Sequence, residues 1–180
     1  GAYELYQRGQ MALLARQREQ NDQARELFLR ALEMDAAFAL AYAGLAQTYA
    51  ADHPNQWTAD PASALERAWE LAHTAHKLNP DVRETYWVLA FVHLERGQHR
   101  EALEQLHAAV RLYPSFADAY AFMGGIHAYL GEPAQTLPLM RTAMRLNPDA
   151  GYLYYLILGR AHFALGELDQ ARIHLERAML

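Results

Sequence analysis

Nine histidines are the side chains in this sequence best suited to chemistry, and two groups of them have suggestive spacing. His93, His127 and His162 recur at intervals of 34 and 35 residues (127 − 93 and 162 − 127), and His73 and His76 stand at i and i+3, on one face of a helix. Imidazole is a good zinc ligand, but a zinc site needs three or four donors within about 2.1 Å of one ion. Equivalent residues of stacked helical repeats lie about 10 Å apart, one interhelical distance. The first group therefore cannot share an ion and is expected to pack, with one ring nitrogen hydrogen-bonded. The pair His73 and His76 lacks a third ligand. Neither a metal site nor a cofactor is expected.

Nucleophiles are scarce. The only serines are Ser63 and Ser115, the only lysine is Lys77, and cysteine is absent. No glycine-rich phosphate loop, His-Glu-x-x-His helix or nucleophile elbow appears. Glu101, Glu104, Asp169 and Glu176 fall where solvated helix faces are expected, and charge on such faces serves solubility. The chain is expected not to be an enzyme. A net charge of −5 without a basic run argues against nucleic acid as a partner. The longest apolar run, Tyr152 to Leu158, is far short of the roughly 20 residues of a membrane span, so no membrane insertion is expected. A cytoplasmic location is favoured, or a periplasmic one if a parent protein carries an upstream membrane segment.

Any surface these residues form must be positioned by a repeating element. Leu78-Asn79-Pro80, Leu112-Tyr113-Pro114 and Leu146-Asn147-Pro148 end successive units of 34 residues (114 − 80 and 148 − 114). Before each Pro the same residue types recur. One unit reads Tyr86, Leu89, Ala90, His93, Gly97, Ala102, Leu106, Ala109, Pro114, and the next Tyr120, Met123, Gly124, His127, Gly131, Thr136, Met140, Ala143, Pro148. A further unit carries Tyr155, Leu158, Gly159, His162, Gly166, Ala171, Leu175 and Ala178, one residue out of step. Earlier in the chain, Tyr42, Leu45, Ala46, Tyr49, Ala68, Ala72, Ala75 and Pro80 form one unit, and Met11, Ala12, Ala15, Ala24, Phe28 and Ala31 another.

This pattern resembles the tetratricopeptide repeat, and the resemblance implies an all-α, right-handed solenoid of five helix-turn-helix repeats. Within each unit, two apolar stripes at helical spacing are separated by a helix stop, Gly97, Gly131 and Gly166 in the last three, and Pro80, Pro114 and Pro148 follow second helices. The predicted pairs are helices 2–17 with 21–34, 37–51 with 61–78, 82–96 with 99–112, 116–130 with 133–146, and 151–165 with 168–180. They form one domain over 1–180, with repeats at about 2–36, 37–80, 81–114, 115–148 and 149–180. The last repeat ends without a polar capping helix, so the chain is expected to be a piece of a longer protein.

Two irregularities interrupt the pattern. Ala31 to Ala75 spans 44 residues, so about ten extra, 51–60, are expected as an insertion in the turn before Asp60, a suitable N-cap, and Pro61. Trp57 either anchors that loop or offers an aromatic contact to a partner. Pro138 lies five residues after Pro133, so that helix either starts late, near Thr136, or loses a backbone bond and kinks.

In repeats of this family the first helix of each pair lines a concave groove. The resemblance places there Tyr6, Leu13 and Arg16; Leu40 and Gln47; Glu84, Trp87, Phe91 and Leu94; Asp118, Gly125 and Tyr129; Leu153, Leu156, Arg160 and Phe163. Trp87, Phe91 and Leu94, at i, i+4 and i+7, make one apolar stripe, either open to a ligand or covered by neighbouring helices. An open groove suits an amphipathic helix or an extended peptide. Gripping a terminal carboxylate would take Lys, Arg and Asn, whereas Gly9, Leu13, Glu84 and Asp118 stand on that face, leaving Arg160 to hold one acidic group.

Tyr3-Glu4-Leu5-Tyr6-Gln7-Arg8-Gly9, Phe38 to Ala46, Trp57 with Asp60-Pro61, and Ala143 to Pro148 together resemble the C-terminal repeats of bacterial regulators. In those, the repeats follow a class III adenylate or guanylate cyclase domain or a winged-helix DNA-binding domain. That likeness implies a non-catalytic sensory or scaffolding module that binds a protein or peptide; the alternative is a homodimerising module that brings output domains together.

Overall fold

The computed structural model describes residues 1–180, which form ten α-helices and no strand. They are α1 (Ala2–Leu13), α2 (Arg18–Met34), α3 (Ala39–Asn55), α4 (Pro61–Leu78), α5 (Arg83–Glu95), α6 (His99–Leu112), α7 (Ala117–Tyr129), α8 (Pro133–Leu146), α9 (Tyr152–Ala164) and α10 (Leu168–Ala178). The chain divides into two compact units, Gly1–Gln105 and Leu106–Leu180. No helix is long and apolar enough to cross a membrane.

In the first unit, α1 packs on α2 and α3 on α4, and Phe28, Leu45, Leu71, Val88, Leu89 and Val92 fill the space between small residues such as Ala24, Ala46, Ala68 and Ala72. Phe28 is fully buried at the centre of the first two pairs. A Cβ added to Gly9 or Gly44 would lie 2.5 or 2.6 Å from its ring, so both glycines are required by close approach. In the second unit Met140, Ala143, Tyr154 and Leu158 form the core. There Gly124 makes room for Met140, and Gly159 for Leu175.

These contacts correct the register of the first pair. Gly9, Ala46, Ala90, Gly124 and Gly159 occupy the same place in α1, α3, α5, α7 and α9, whereas the sequence pattern puts Ala12 there. The helix expected to reach residue 17 stops at Leu13. The turn 14–17 is one residue longer than 96–98, 130–132 and 165–167, and Phe28 is long enough to reach back to Gly9. Arg16 adopts φ 51° in this turn, the left-handed conformation that Gly97, Gly131 and Gly166 supply elsewhere at 74–76°. A side chain there costs about 1–2 kcal/mol, and glycine's extra unfolded-state freedom offsets about 0.5–1 of it. Arg16→Gly is therefore expected to raise the unfolding free energy by about 0.5–1 kcal/mol in urea titrations.

Two further departures follow from proline chemistry. α3 runs a turn beyond residue 51, through Pro54 to Asn55, so about half of segment 51–60 is helix. Gln56, at φ 52°, then reverses the chain, and Asp60 caps α4 by accepting from the Ser63 N–H at 3.1 Å. α8 begins at Pro133, not near Thr136, and continues through Pro138 at the loss of one backbone donor. Thr136 is fully buried and donates its hydroxyl to the Gly124 carbonyl at 3.0 Å, fastening α8 to α7.

A polar network joins the first pair to the second. The buried Asp52 carboxylate accepts from Asn21 Nδ2 at 3.0 Å and Arg25 Nη2 at 2.6 Å. Arg25 Nε donates to Thr48 Oγ1 at 3.2 Å, and its guanidinium lies 4.2 Å from the Tyr49 ring centroid. Asn21 and Arg25 also donate to the Thr48 carbonyl.

Candidate partner-binding faces

The first helix of each pair is where the functional side chains are expected, and the two units present them differently. In the first unit the face is largely closed by its own contacts. Tyr6 is half-buried, its ring 5.8–6.0 Å from those of Tyr3, Phe28 and Phe38. Burial, with the Glu84 charge adding, pushes its hydroxyl pKa up to about 12. Leu13 packs on the core. Gln47 accepts a hydrogen bond from Gln10 at 3.1 Å. Leu40 packs beside Ala39, Ala43, Ala75 and Val82. Glu84 is bonded to Arg83 Nε at 3.0 Å. Trp87 and Phe91 stack at 5.8 Å with planes 1° apart and lie against the core, and Leu94 is half-buried.

Two residues expected on this face are elsewhere. Arg16 is exposed in the turn after α1, and Gly9 is buried against Phe28. The first follows from the early end of α1, the second from the reach of Phe28.

In the second unit the corresponding face is open. Tyr129 is 76% exposed, Phe163 65% and Leu153 47%. Leu156 is half-buried beside them in sequence register, and Arg160 is exposed with no ion pair. At Gly125 an added Cβ would meet only Ile157, at 3.5 Å, which leaves room above α7. Asp118 is occupied: the Tyr154 hydroxyl donates to its Oδ1 at 2.6 Å. Burial, then this hydrogen bond, raises the Tyr154 pKa. Tyr152, 64% exposed beside Leu153, escapes the sequence reading, although it stands four residues before Leu156 and so shares this helical face.

The histidines fasten turns. His93 Nδ1 bonds Gln98 at 2.9 Å, His127 Nδ1 bonds Glu132 at 2.6 Å, and His162 Nδ1 bonds Glu167. Each partner lies five residues on and also donates its backbone N–H to the carbonyl of the same histidine. At His127 and His162 the carboxylate partner can only accept, which places a ring proton on Nδ1. A Glu or Gln five residues after each histidine is the available sequence signal. His73 and His76 meet the rings of Trp69 and Tyr86, at 4.4 and 5.6 Å, and burial lowers the His73 pKa. No three His, Asp or Glu side chains converge as a metal site would require.

The tetratricopeptide repeat pattern matches residues 88–150 and, overlapping, 123–179, more than half of the chain. No curated protein matches the sequence. Among solved structures, a thermophilic repeat protein of Thermus thermophilus is similar at 23% identity with a TM-score of 0.76, over 99% of this chain and 90% of that one. PilF of Pseudomonas aeruginosa is similar at 21% identity and TM-score 0.74, over 99% and 77%. YrrB, described as a repeat protein with an unusual peptide-binding site, is similar at 20% and 0.60, over 93% and 81%. The all-helical fold, the small-residue register and the matched pattern agree: this chain belongs to the tetratricopeptide repeat family.

Proposed function

We propose that residues 1–180 form one non-catalytic interaction domain that binds a protein or peptide through the faces of its first helices, chiefly α7 and α9. The carrying observation is the contrast between faces: Tyr129, Leu153 and Phe163 lie open in the second unit, whereas Trp87 and Phe91 of the first pack on their own core. Large exposed apolar side chains mark interaction sites, and each gains about 1.5–3 kcal/mol on full burial. The peptide-binding description of YrrB supports the same reading. Arg160 supplies a cation for an acidic group of the partner. The partner-contacting residues are therefore Tyr129, Leu156, Arg160 and Phe163, whereas Tyr6, Leu13, Leu40, Gln47, Glu84, Trp87, Phe91 and Leu94 are engaged or half-buried within the first unit. The resemblance to regulator repeats supports a sensory or scaffold role within a larger bacterial protein.

Selection from a displayed random peptide library tests the reading. Phe163→Glu is expected to lower the affinity of the selected peptides by at least about tenfold without moving the melting temperature, because the ring is exposed. Selected peptides indifferent to both Phe163→Glu and Tyr129→Glu would overturn it. Self-association is the second reading, favoured by the exposed Leu168 and Ile173 of α10. Light scattering would then report a dimer that Ile173→Glu dissociates.

A further inference from the structure

Segment 51–60 takes no part in the faces just described, yet it borders an open depression of about 570 Å³ at the edge of the first unit. α2 contributes Arg18, Asp22 and Arg25, α3 contributes Tyr49 and Asp52, the segment contributes Trp57, Thr58 and Asp60, and α4 contributes Ser63 and Arg67.

The lining carries three arginines and three aspartates, and their bonding divides them. Asp52 is spent, with one oxygen taken by Asn21 and the other by Arg25. Arg25 uses Nε and Nη2 in the network, but its Nη1 makes no hydrogen bond and stands 3.6 Å from Asp22. Arg18 has no ion-pair partner, and Asp60 uses one oxygen, Oδ1, to cap α4. Arg18 and one oxygen of Asp60 are therefore unspent, and the Asp22–Arg25 ion pair is long and without a hydrogen bond, all in one depression beside the half-buried indole of Trp57. A dianion such as phosphate would meet Asp22 and Asp60 as well as the arginines. A group carrying both charges satisfies both sets.

We propose that this depression binds a small zwitterion of the amino-acid class. Its carboxylate meets Arg18 and Arg25 Nη1, its ammonium meets Asp22 and Asp60, so that it takes the place of the long Asp22–Arg25 ion pair, and its side chain lies against Trp57. The site is separate from the faces of α7 and α9 and stands whether or not those bind a peptide.

The Trp57 indole N–H resonance of the full chain, assigned with Trp57→Phe, reports occupancy. The probes are the free α-amino acids, their N-acetyl amides, acetate, methylamine and inorganic phosphate at constant ionic strength. At least one free amino acid is expected to shift the resonance saturably, with acetate and methylamine at least about tenfold weaker. Arg18→Ala and Asp22→Asn, both at exposed positions, are each expected to weaken it about tenfold. No saturable shift with any free amino acid would overturn the proposal. So would an equal response to phosphate, which would mean a simple anion site, or equal binding of the N-acetyl amides, which would mean a peptide side-chain site.

Discussion

Truncating Phe28 to alanine is expected to lower the unfolding free energy by about 3–5 kcal/mol, the largest effect of any single aromatic deletion in this chain. The ring is fully buried and wedged between Gly9 of α1 and Gly44 of α3. Glycines have no side chains to move into the space, so the cavity stays open and the loss falls at the high end of its class. The converse holds for the glycines. Gly44→Ala places a methyl 2.6 Å from the ring and is expected to cost about 1–3 kcal/mol by overpacking. In a Phe28→Leu background that penalty should shrink, because the smaller side chain gives way. Urea unfolding followed by circular dichroism on the four proteins of this cycle measures the coupling. A Phe28→Ala cost below about 1 kcal/mol would mean that the ring is not the wedge described.

The second large effect is expected at Asp52. Removing its carboxylate leaves the half-buried Arg25 guanidinium without its closest partner and the buried Asn21 amide with one acceptor fewer. Breaking a fully buried pair from one side costs about 3–5 kcal/mol, and an unsatisfied buried polar group about 1–3. Because Arg25 keeps Asp22 at 3.6 Å and some access to water, Asp52→Ala should cost about 2–3 kcal/mol. The combination Asn21→Leu, Arg25→Met and Asp52→Leu should be near neutral or more stable than the parent, because well-packed apolar residues often replace an ion pair without loss. Equal destabilisation by the single and the triple variant would show that the network contributes stability beyond satisfying its own members.

The helices are legible wherever the 34-residue period speaks. Gly97, Gly131 and Gly166 end first helices as expected, and all three have positive φ. The first pair is misread because Ala12 and Gly9 are both small, three residues apart, and periodicity alone does not choose between them. The choice belongs to Phe28, whose reach is a tertiary fact. Segment 51–60 shows in its length, but the extension of α3 does not, since Pro54 reads as a stop although a helix can run one residue beyond it. The network of Asn21, Arg25, Thr48 and Asp52 leaves no signal, because its members sit on α2 and α3 at positions the other repeats fill differently. The interaction face is legible only in part. The stripe Trp87, Phe91 and Leu94 is the most apolar in the sequence, and its size brings it into the core. Tyr129 and Phe163, less conspicuous as a pattern, are the rings that remain open.

The clasps of His93, His127 and His162 close within their own helix pairs, each over five residues. A pair carrying such a clasp can be duplicated, deleted or exchanged as a cassette without cutting that bond. Bonds between pairs are different: Arg25 and Asn21 of the first reach Thr48 and Asp52 of the second, Arg96 reaches Glu66, and Tyr154 reaches Asp118. Of these only the network at Asp52 is several bonds deep and buried, so length variants of this chain are expected to separate the first two pairs least often.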